Sequence, residues 1–410
     1  MCCTGGKVRL ESLQEPPDVL RRLLTEDTRE VKRFRSQIWR YNASFIMTSF
    51  GADRDLTDRG FFTTFKIQEQ CYDRIGSLRP LTDEEPKYTQ VFFMGGGSEE
   101  VSQRCRLNQG VDREIITELQ AMLHSTHPYV HSFKYALERM EAIPDLKMII
   151  RADRRPVGEQ ARRFNAPATY EVAIILVGEE HGKRDIILNH RDNRLSTIKE
   201  THRSYDCLQY PLMFQYGEDG YNFGLRQVNP VTGLETNKAI SCKDFYAHRL
   251  MVREGEFNQL LRFKDVTSQL MVDMYAKVET ERLLYVRINQ NKLRSEQYVH
   301  LQDALNCDGN AHNVGQQVIL PSSFTGSPRY MHQLTQDAMA YVRKFGRPDL
   351  FITFTCNPKW KDIQDCLFEG QSSTDRHDLI ARVFHLKHKK LIWLIKDGKI
   401  FGDRVHGCTL

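Results

Sequence analysis

The sequence feature that most constrains this fold is the stretch Leu350-Phe-Ile-Thr-Phe-Thr355. Apolar and β-branched residues alternate along it, a pattern typical of a β-strand with both faces covered. Pro348 disfavours a helix before the stretch, and Asn357-Pro358 ends it, because proline cannot donate a hydrogen bond to a neighbouring strand. From these residues alone, we predict a strand of the protein core.

Three stretches in this part of the chain resemble the helicase-like N-terminal region of the Helitron rolling-circle transposases; they are Leu320–Tyr330, Gln336–Ala340 and Phe351–Trp360. The resemblance runs through nearly the whole chain and is most specific from about Phe245 onward. In that family the third stretch is similar to the first motif of the Rep-type (HUH) nuclease domain, a central strand beside the strand that carries a His-hydrophobic-His metal site. The residues that match this motif are Phe351, Thr353, Thr355, Asn357 and Pro358.

The resemblance implies a nuclease whose reactive groups are not in this sequence. Rep-type nicking uses a divalent metal, two histidines on one strand that bind it, and a tyrosine nucleophile. The sequence has no His-x-His pair, and His385 and His388 lie three residues apart on a predicted helix. In relatives the histidine pair, the tyrosines and the helicase phosphate loop follow the point that matches the end of this chain. We therefore expect a C-terminally truncated form with no catalytic, metal-binding or cofactor-binding residue.

The parent family is a DNA-nicking transposase fused to an ATP-dependent DNA helicase, so divalent metal and ATP are implied only for the full-length family protein. We predict that this chain neither nicks DNA nor hydrolyses ATP, and that it binds DNA, mainly single strands, in rolling-circle transposition. The alternative is a degenerate or domesticated, non-catalytic interaction protein of transposon origin. An unrelated enzyme with Cys356 or Cys366 as nucleophile would need a base, and none lies at a suggestive spacing.

The length and composition indicate a globular protein of several domains. With 410 residues, 40% of them hydrophobic, the chain can bury ample core. We predict an α+β protein with a β-rich module over residues 1–110 that could be OB-like and bind nucleic acid. A mixed α/β middle region would follow over 111–243. A Helitron helicase-like domain over 244–410 would hold a partial Rep-like antiparallel sheet with packed helices.

The N-terminal module is predicted to contain strands at Arg40–Phe50, Phe61–Ile67 and Gln90–Met94, because these stretches are rich in β-branched and aromatic residues. Aromatic residues there interleave with the cations Arg40, Lys66 and Arg74, as in stacking platforms for single-stranded nucleic acid. The aromatic residues are Tyr41, Phe45, Phe61, Phe65 and Tyr72. The alternative is that these rings fill the core of a barrel.

The middle region is predicted to hold two amphipathic helices, one on each side of His127-Pro128, and two paired strands at Glu171–Val177 and Arg184–Leu188. A basic island that includes Arg154 and Arg155 lies between the helices and the strands. Such an island is usually a solvated face, and contact with phosphates is the alternative.

The region after residue 244 is predicted to be mainly helical up to the motif strand. A long amphipathic helix is expected from Val266 to about Tyr298. The next helix is expected to start at Ser327-Pro328, to bury an apolar stripe and to stop at Gly346. The stripe consists of Met331, Leu334, Ala338, Tyr341, Val342 and Phe345.

The C-terminal end is the most basic part of the chain. Asp375 can cap a helix that runs to Gly398. Residues 375–410 contain eight Lys or Arg against four Asp or Glu. Lys387, Lys389 and Lys390 on this helix are candidate DNA contacts, with Arg40, Lys66, Arg74, Arg154 and Arg155 elsewhere in the chain.

The chain as a whole is only mildly basic, with a net charge of +5 and a pI of about 8.6, so the charge permits a DNA partner without requiring one. Its longest purely apolar run, Val172–Val177, is far shorter than a membrane span. The ten cysteines are mostly scattered singly, which indicates reduced thiols. We expect a soluble, intracellular protein without membrane contact, and the resemblance implies the nucleus.

Overall fold

The computed structural model describes residues 3–51, 55–57, 65–67, 72–75, 78, 80, 84–140, 147–150, 172–175, 186–189, 196–290, 320–398 and 400–401. The chain forms two compact units. Unit 1 comprises Met1–Met274 and Phe368–Gln371, and unit 2 comprises Tyr275–Leu367 and Ser372–Leu410. The chain is helix-rich and fits the general α+β class that the sequence predicts. The three predicted domains, with boundaries near residues 110 and 243, stay a prediction.

Helices account for most of both units. Those described in unit 1 are α1 (Asp18–Thr25), α2 (Arg29–Ser36), α3 (Ile38–Phe45), α4 (Gly97–Leu107), α5 (Arg113–Thr126), α6 (Pro128–Met140), α7 (Tyr205–Gln209) and α8 (Cys242–Arg249), with 3-10 turns at Tyr88–Phe93 and Gln259–Arg262. The long helix α9 (Asp265–Ile288) begins in unit 1 and ends in unit 2. Unit 2 continues with α10 (Pro328–Phe345), α11 (Lys361–Gln364), a 3-10 turn at Ser373–Asp375 and α12 (His377–Lys396). Among the helices that the structure describes, none combines the length and apolar character needed to cross a bilayer.

The described strands lie in unit 1 and pair antiparallel in small sheets. They are β1 (Ser49–Gly51), β2 (Asp55–Thr57), β3 (Phe65–Ile67), β4 (Tyr72–Ile75), β5 (Lys147–Ile150), β6 (Val172–Ile175), β7 (Ile186–Asn189), β8 (Ser196–Ile198), β9 (Arg226–Val228) and β10 (Glu235–Ala239). The sheet orders are β1-β4-β8 and β6-β5-β7, with the pairs β2-β3 and β9-β10. The two strands predicted in the middle region are confirmed as β6 and β7. They are not partners, because β5, with Met148 and Ile150 fully buried, lies between them.

Helix α3 shows that the strand predicted at Arg40–Phe50 is mostly wrong. Only its end, β1, is a strand, and Ile38–Phe45 is the helix α3. Ile38, Tyr41 and Phe45 are fully buried, at the three- and four-residue spacing that places side chains on one helix face. The aromatic content favoured a strand, but the buried residues recur at the spacing of a helix. Tyr41 and Phe45 therefore fill a core, as the alternative interpretation predicted, but this core is built from helices rather than from a barrel.

A second predicted strand, Gln90–Met94, is also wrong. Residues Tyr88–Phe93 form a 3-10 turn, in which the consecutive residues Val91, Phe92 and Phe93 are all buried. A short run of buried apolar residues does not distinguish a strand from a helical turn by periodicity. The described part of residues 1–110 is consequently mainly helical rather than β-rich.

Helix α10 begins and ends where the sequence predicts, but its apolar stripe is not buried. Ser327 Oγ accepts a hydrogen bond from Tyr330 N at 3.1 Å, and Gly346, at φ +83°, ends the helix in a conformation that favours glycine. No residue of α10 is buried within the part of the chain that the structure describes. Met331 is 55% exposed and Phe345 is 41% exposed. Capping is a local interaction, whereas burial of the stripe depends on a partner surface.

The strand predicted at Leu350–Thr355 is a further correction. The structure assigns neither helix nor strand to residues 350–357. Leu350, Phe351 and Ile352 are all at least half exposed. A strand needs a neighbour for its backbone hydrogen bonds, and no described strand lies beside this segment. The alternating pattern shows what the segment can form, and among the described residues it has no neighbouring strand to pair with.

Candidate nucleic-acid interface

Four rings of unit 2 form a continuous arrangement that we call the aromatic stack: Trp360, Phe354, Phe384 and His388. Ring centroids are 5.9 Å apart for Trp360 and Phe354, 5.3 Å for Phe354 and Phe384, and 6.2 Å for Phe384 and His388. The planes of each pair lie within 25° of parallel. All four side chains are half-buried. Such a stack leaves ring surface that another flat aromatic group can extend.

Trp360 is brought back towards Phe354 by a turn at Asn357. The Asn357 side-chain oxygen accepts a hydrogen bond from Lys359 N at 2.9 Å, and the Asn357 carbonyl accepts one from Trp360 N at 3.1 Å. Asparagine commonly forms such turns with the backbone two residues on. The Pro358 carbonyl accepts a further hydrogen bond, at 2.8 Å, from the Gln364 side chain of α11. The motif residues Asn357 and Pro358 therefore position a ring of the stack.

The other two rings come from α12. Phe384 and His388 are four residues apart and lie on one face of the helix. The helix start is held by a buried ion pair in which Arg376 donates to Asp378 at 2.9 and 3.0 Å. The prediction that Asp375 caps this helix is wrong: the N-cap residue is Arg376, and Asp375 instead accepts a hydrogen bond from Ser372 N at 2.7 Å in the turn before the helix. These contacts hold the N-terminal end of α12, the helix that carries Phe384 and His388.

Lysine side chains lie beside the stack. The Lys387 Nζ is 5.2 Å from the centroid of the Trp360 ring and 2.6 Å from Asp362 Oδ2. The hydrogen bond and charge of Lys387, and to a lesser extent the charge of Lys390, lower the pKa of the Asp362 carboxyl. Lys359 and Lys361, which flank Trp360 in sequence, are exposed. Lys359, Lys361 and Lys387 are thus set against the Asp362 carboxylate beside the Trp360 ring.

The three predicted lysines of α12 do not share one side of the helix. Lys387 and Lys390 are three residues apart, so they are neighbours on the helix surface. At 100° per residue, Lys389 points roughly 160° away from Lys387. The predicted set therefore divides into Lys387, which lies beside the aromatic stack and has Lys390 next to it on the helix surface, and Lys389, which points in a different direction from α12.

The remaining predicted DNA contacts lie in unit 1. Arg40 donates a hydrogen bond to the Gln109 carbonyl at 2.6 Å, and its guanidinium carbon lies 5.2 Å from the centroid of the Trp39 ring. Arg40 is thus already engaged by its own unit. Lys66 and Arg74 lie on β3 and β4, and their side chains are outside the described part of the structure, as are Arg154 and Arg155. Their DNA contacts stay predictions.

A second group of polar side chains lies buried in unit 1. The Tyr246 hydroxyl donates to Asp206 Oδ2 at 2.9 Å, and burial, followed by the nearby Asp206 charge, raises the pKa of Tyr246. A Cβ atom on Gly220 would lie 2.7 Å from Asp206 Oδ2, so only glycine fits there. His202 is 3% exposed, and its Nδ1 accepts a hydrogen bond from Ser204 N at 3.1 Å. His202 is thus a buried side chain held by the backbone of unit 1.

The donor groups of the described residues do not match a Rep-type metal centre. Such a centre needs two histidines on one strand, whereas His385 and His388 lie on α12 and the His388 ring stacks on Phe384. Within the described ranges, no cluster of three His, Cys, Asp or Glu side chains could hold an ion.

Half-exposed rings beside lysines are an arrangement that proteins of the nucleic-acid-binding class use. Comparison with protein families then identifies the region that contains the aromatic stack. The family described as the Helitron helicase-like domain at N-terminus matches residues 245–408, which include α8 from Phe245 onward, all of unit 2 up to residue 408, and every ring of the stack. The match supports a Helitron helicase-like N-terminal region and suggests a transposon-derived protein. No curated protein matches the chain.

Proposed function

We propose that this protein binds DNA, with a preference for single strands, through the aromatic stack and the adjoining lysines. The observation that carries the proposal is a half-buried, four-ring stack with Lys387 beside its Trp360 ring and Lys390 next to Lys387 on α12. Both elements lie within the Helitron-like region. In this proposal the protein contributes DNA binding to rolling-circle transposition and acts in the nucleus.

The preference for single strands follows from the rings. A base inside a duplex is already stacked on both faces, whereas an unpaired base can stack on an aromatic side chain. Such stacking is worth about 1–3 kcal/mol per base and depends little on sequence. Lysine ammonium groups bind the phosphates between the bases, which adds affinity that falls as salt rises. The proposal assigns binding to this chain and no cleavage, metal or ATP chemistry.

The test is the salt dependence of binding to a fluorescent oligothymidine, measured by anisotropy. We expect Lys387→Ala to lower the slope of log affinity against log salt by about 0.7, the contribution of one single-strand phosphate contact. Lys389→Ala is the matched control, because it also removes one positive charge from α12 but at a position roughly 160° around the helix from Lys387. Equal effects of Lys387→Ala and Lys389→Ala would refute the site, and no binding at low salt would refute the function.

The alternative function, a non-catalytic interaction protein of transposon origin, is favoured by a different observation. Unit 2 exposes large apolar side chains along α10 and the segment that follows it. Exposed apolar surface of this extent marks interaction sites in soluble proteins. The two functions are compatible, because the aromatic stack and the apolar surface use different side chains.

A further inference from the structure

Four residues of unit 1 are separated from the rest of that unit in the sequence. Unit 1 consists of Met1–Met274 and Phe368–Gln371, and the second stretch lies between α11 and α12, which are helices of unit 2. We call Phe368–Gln371 the strap. The connection between α11 and α12 therefore includes residues that belong to unit 1.

The strap is a tight turn that Gln371 closes. Gln371 N donates a hydrogen bond to the Phe368 carbonyl at 3.0 Å, and Gln371 Oε1 accepts one from Phe368 N at 3.3 Å. The Nε2 atom of the same side chain donates to the Leu261 carbonyl at 2.7 Å. Leu261 is fully buried in unit 1. One side chain thus closes the turn and attaches it to the core of unit 1.

Two arginines of unit 1 hold the other residues of the strap. The Arg262 guanidinium carbon lies 4.0 Å from the centroid of the Phe368 ring, within the range of a cation–π contact. Arg35, which is 5% exposed, donates to the Glu369 carbonyl at 3.2 Å and to the Glu26 carbonyl at 2.5 Å. Releasing the strap would remove a hydrogen-bond partner from this buried arginine, which is unfavourable.

Gly370 allows the strap to lie close to Arg35. Its φ of +75° favours glycine, and a Cβ atom at this position would lie 2.8 Å from Arg35 Nη1. The hydrogen bond from Arg35 to the Glu26 carbonyl opposes a movement of the guanidinium away from the strap. A side chain at position 370 would therefore push the strap away from Arg35.

The strap connects the elements that carry three of the four rings of the aromatic stack. Trp360 lies at the start of α11, and Phe384 and His388 lie on α12. The two helices are also joined by the 2.6 Å ion pair between Asp362 and Lys387. Three residues separate the strap from the end of α11, and five separate it from the start of α12. With such short connections, a movement of the strap is transmitted to both helices.

We propose that Arg35, Arg262 and Gln371 are positioning residues for the aromatic stack. They hold the strap in unit 1, and the strap fixes the connection between the two helices that bring the rings together. Aromatic pairs interact at centroid distances of about 4.5–7 Å, and those of the stack are 5.3–6.2 Å. A displacement of a few ångströms would therefore open the stack. This inference rests on the proposed function and adds to it a role for unit 1.

The experiment measures the exposure of Trp360 in the full chain with and without Gln371→Ala, which removes the hydrogen bond of the strap to unit 1. Trp39 and Trp393 are replaced by phenylalanine in every protein, so that Trp360 is the single remaining tryptophan. Quenching of its fluorescence by acrylamide reports how much of the ring the solvent reaches. Gln336→Ala makes the same change at an exposed position of α10 and is the matched control.

A second pair of variants tests the strap through its backbone. Gly370→Ala places a methyl group against Arg35, whereas Gly255→Ala places one at a similar φ, +77°, with no heavy atom of the described chain within 4 Å. The two changes impose similar backbone strain, so the contact with Arg35 distinguishes them. All measurements are made well below the melting transition of each variant, which circular dichroism determines.

We expect Gln371→Ala and Gly370→Ala to raise the acrylamide quenching constant of Trp360 by about twofold, because a half-buried ring that leaves a stack becomes open to solvent. Both variants should also weaken oligothymidine binding by at least about 5-fold, the contribution of one stacked base. The two control variants should match the parent protein in both measurements. A side chain that only stabilises unit 1 would lower the melting temperature and leave the quenching of Trp360 unchanged.

Unchanged quenching in the folded strap variants overturns the proposal, whatever the result with DNA. An equal rise in quenching in a strap variant and its control overturns it too. Failure of the parent protein to bind oligothymidine would refute the proposed function, while greater quenching in the strap variants would still support the positioning role. Greater quenching with no loss of binding would refute the aromatic stack as the binding site and would likewise support the role of the strap.

Discussion

Replacing Glu218 with glutamine should change how the stability of unit 1 depends on pH. Glu218 is 2% exposed, and its Oε1 is buried with no hydrogen-bond partner among the described residues. Burial raises the pKa of this carboxyl from 4.5 to about 7, against the lowering effect of hydrogen bonds from backbone N–H groups, including Tyr216, and of the Arg249 charge. The folded protein therefore binds a proton that the unfolded chain has released between about pH 4.5 and 7.

The sign and size of the effect follow from that shift. A raised carboxyl pKa favours folding at low pH, and this contribution is lost as pH rises from about 4.5 through 7. A shift of this size corresponds to about 3 kcal/mol, at 1.36 kcal/mol per pKa unit. Glu218→Gln keeps the neutral form at every pH. We expect it to be more stable than the wild type by up to about 3 kcal/mol at pH 8, and nearly equal to it at pH 4.5.

Urea unfolding of wild type and Glu218→Gln at pH 4.5, 6 and 8, followed by circular dichroism, measures this difference. Glu254→Gln is a suitable control, because Glu254 is an exposed carboxylate in the same unit. A constant gap between Glu218→Gln and the wild type at all three pH values would refute the reasoning. A gap that grows towards low pH would also refute it.

Two further changes test the core and a helix end. Arg104→Met should destabilise unit 1 by roughly 3–5 kcal/mol in urea unfolding, because it leaves Glu100 buried without the cation that lies 4.0 Å from it; a smaller loss for Arg104→Met than for Arg104→Lys would contradict this. Gly346→Ala should lower the melting temperature by an amount equivalent to about 1 kcal/mol, because Gly346 has a φ of +83°. Gly398→Ala is not a suitable control, because the added Cβ atom would lie 2.7 Å from the Leu394 carbonyl oxygen. Ala340→Gly tests the reverse change within α10.

Local signals in the sequence predicted local structure well. Ser327 and Gly346 mark the two ends of α10, because a side-chain cap and a positive φ depend on a few adjacent residues. Leu20, Leu23 and Leu24, which recur at helical spacing in the sequence, are likewise the buried residues of α1. Features that depend on distant residues were less predictable.

Aromatic content misled the prediction at α3. Tyr41 and Phe45 have high β-propensity, but that propensity reflects packing on a pleated surface and yields to tertiary context. The period of the buried residues, which includes Ile38, was the signal that could have identified the helix.

The candidate site could be predicted only in part. The basic C-terminal end of the chain indicated Lys387 and Lys390 as candidate DNA contacts. The helical period could have shown that Lys389 points roughly 160° away from Lys387. The contact between Phe354 and Phe384 joins residues thirty positions apart in sequence. No local pattern gives such a contact, so the aromatic stack itself emerges only from the fold.

The most direct test of the account is whether a DNA base stacks on Trp360. In a variant with Trp39→Phe and Trp393→Phe, Trp360 is the single remaining tryptophan of the three in the sequence. We predict that an oligothymidine quenches its fluorescence, that a duplex of equal length quenches it much less, and that Trp360→Leu weakens single-strand binding by roughly 5- to 150-fold. Tight oligothymidine binding with no change in Trp360 emission would contradict the account.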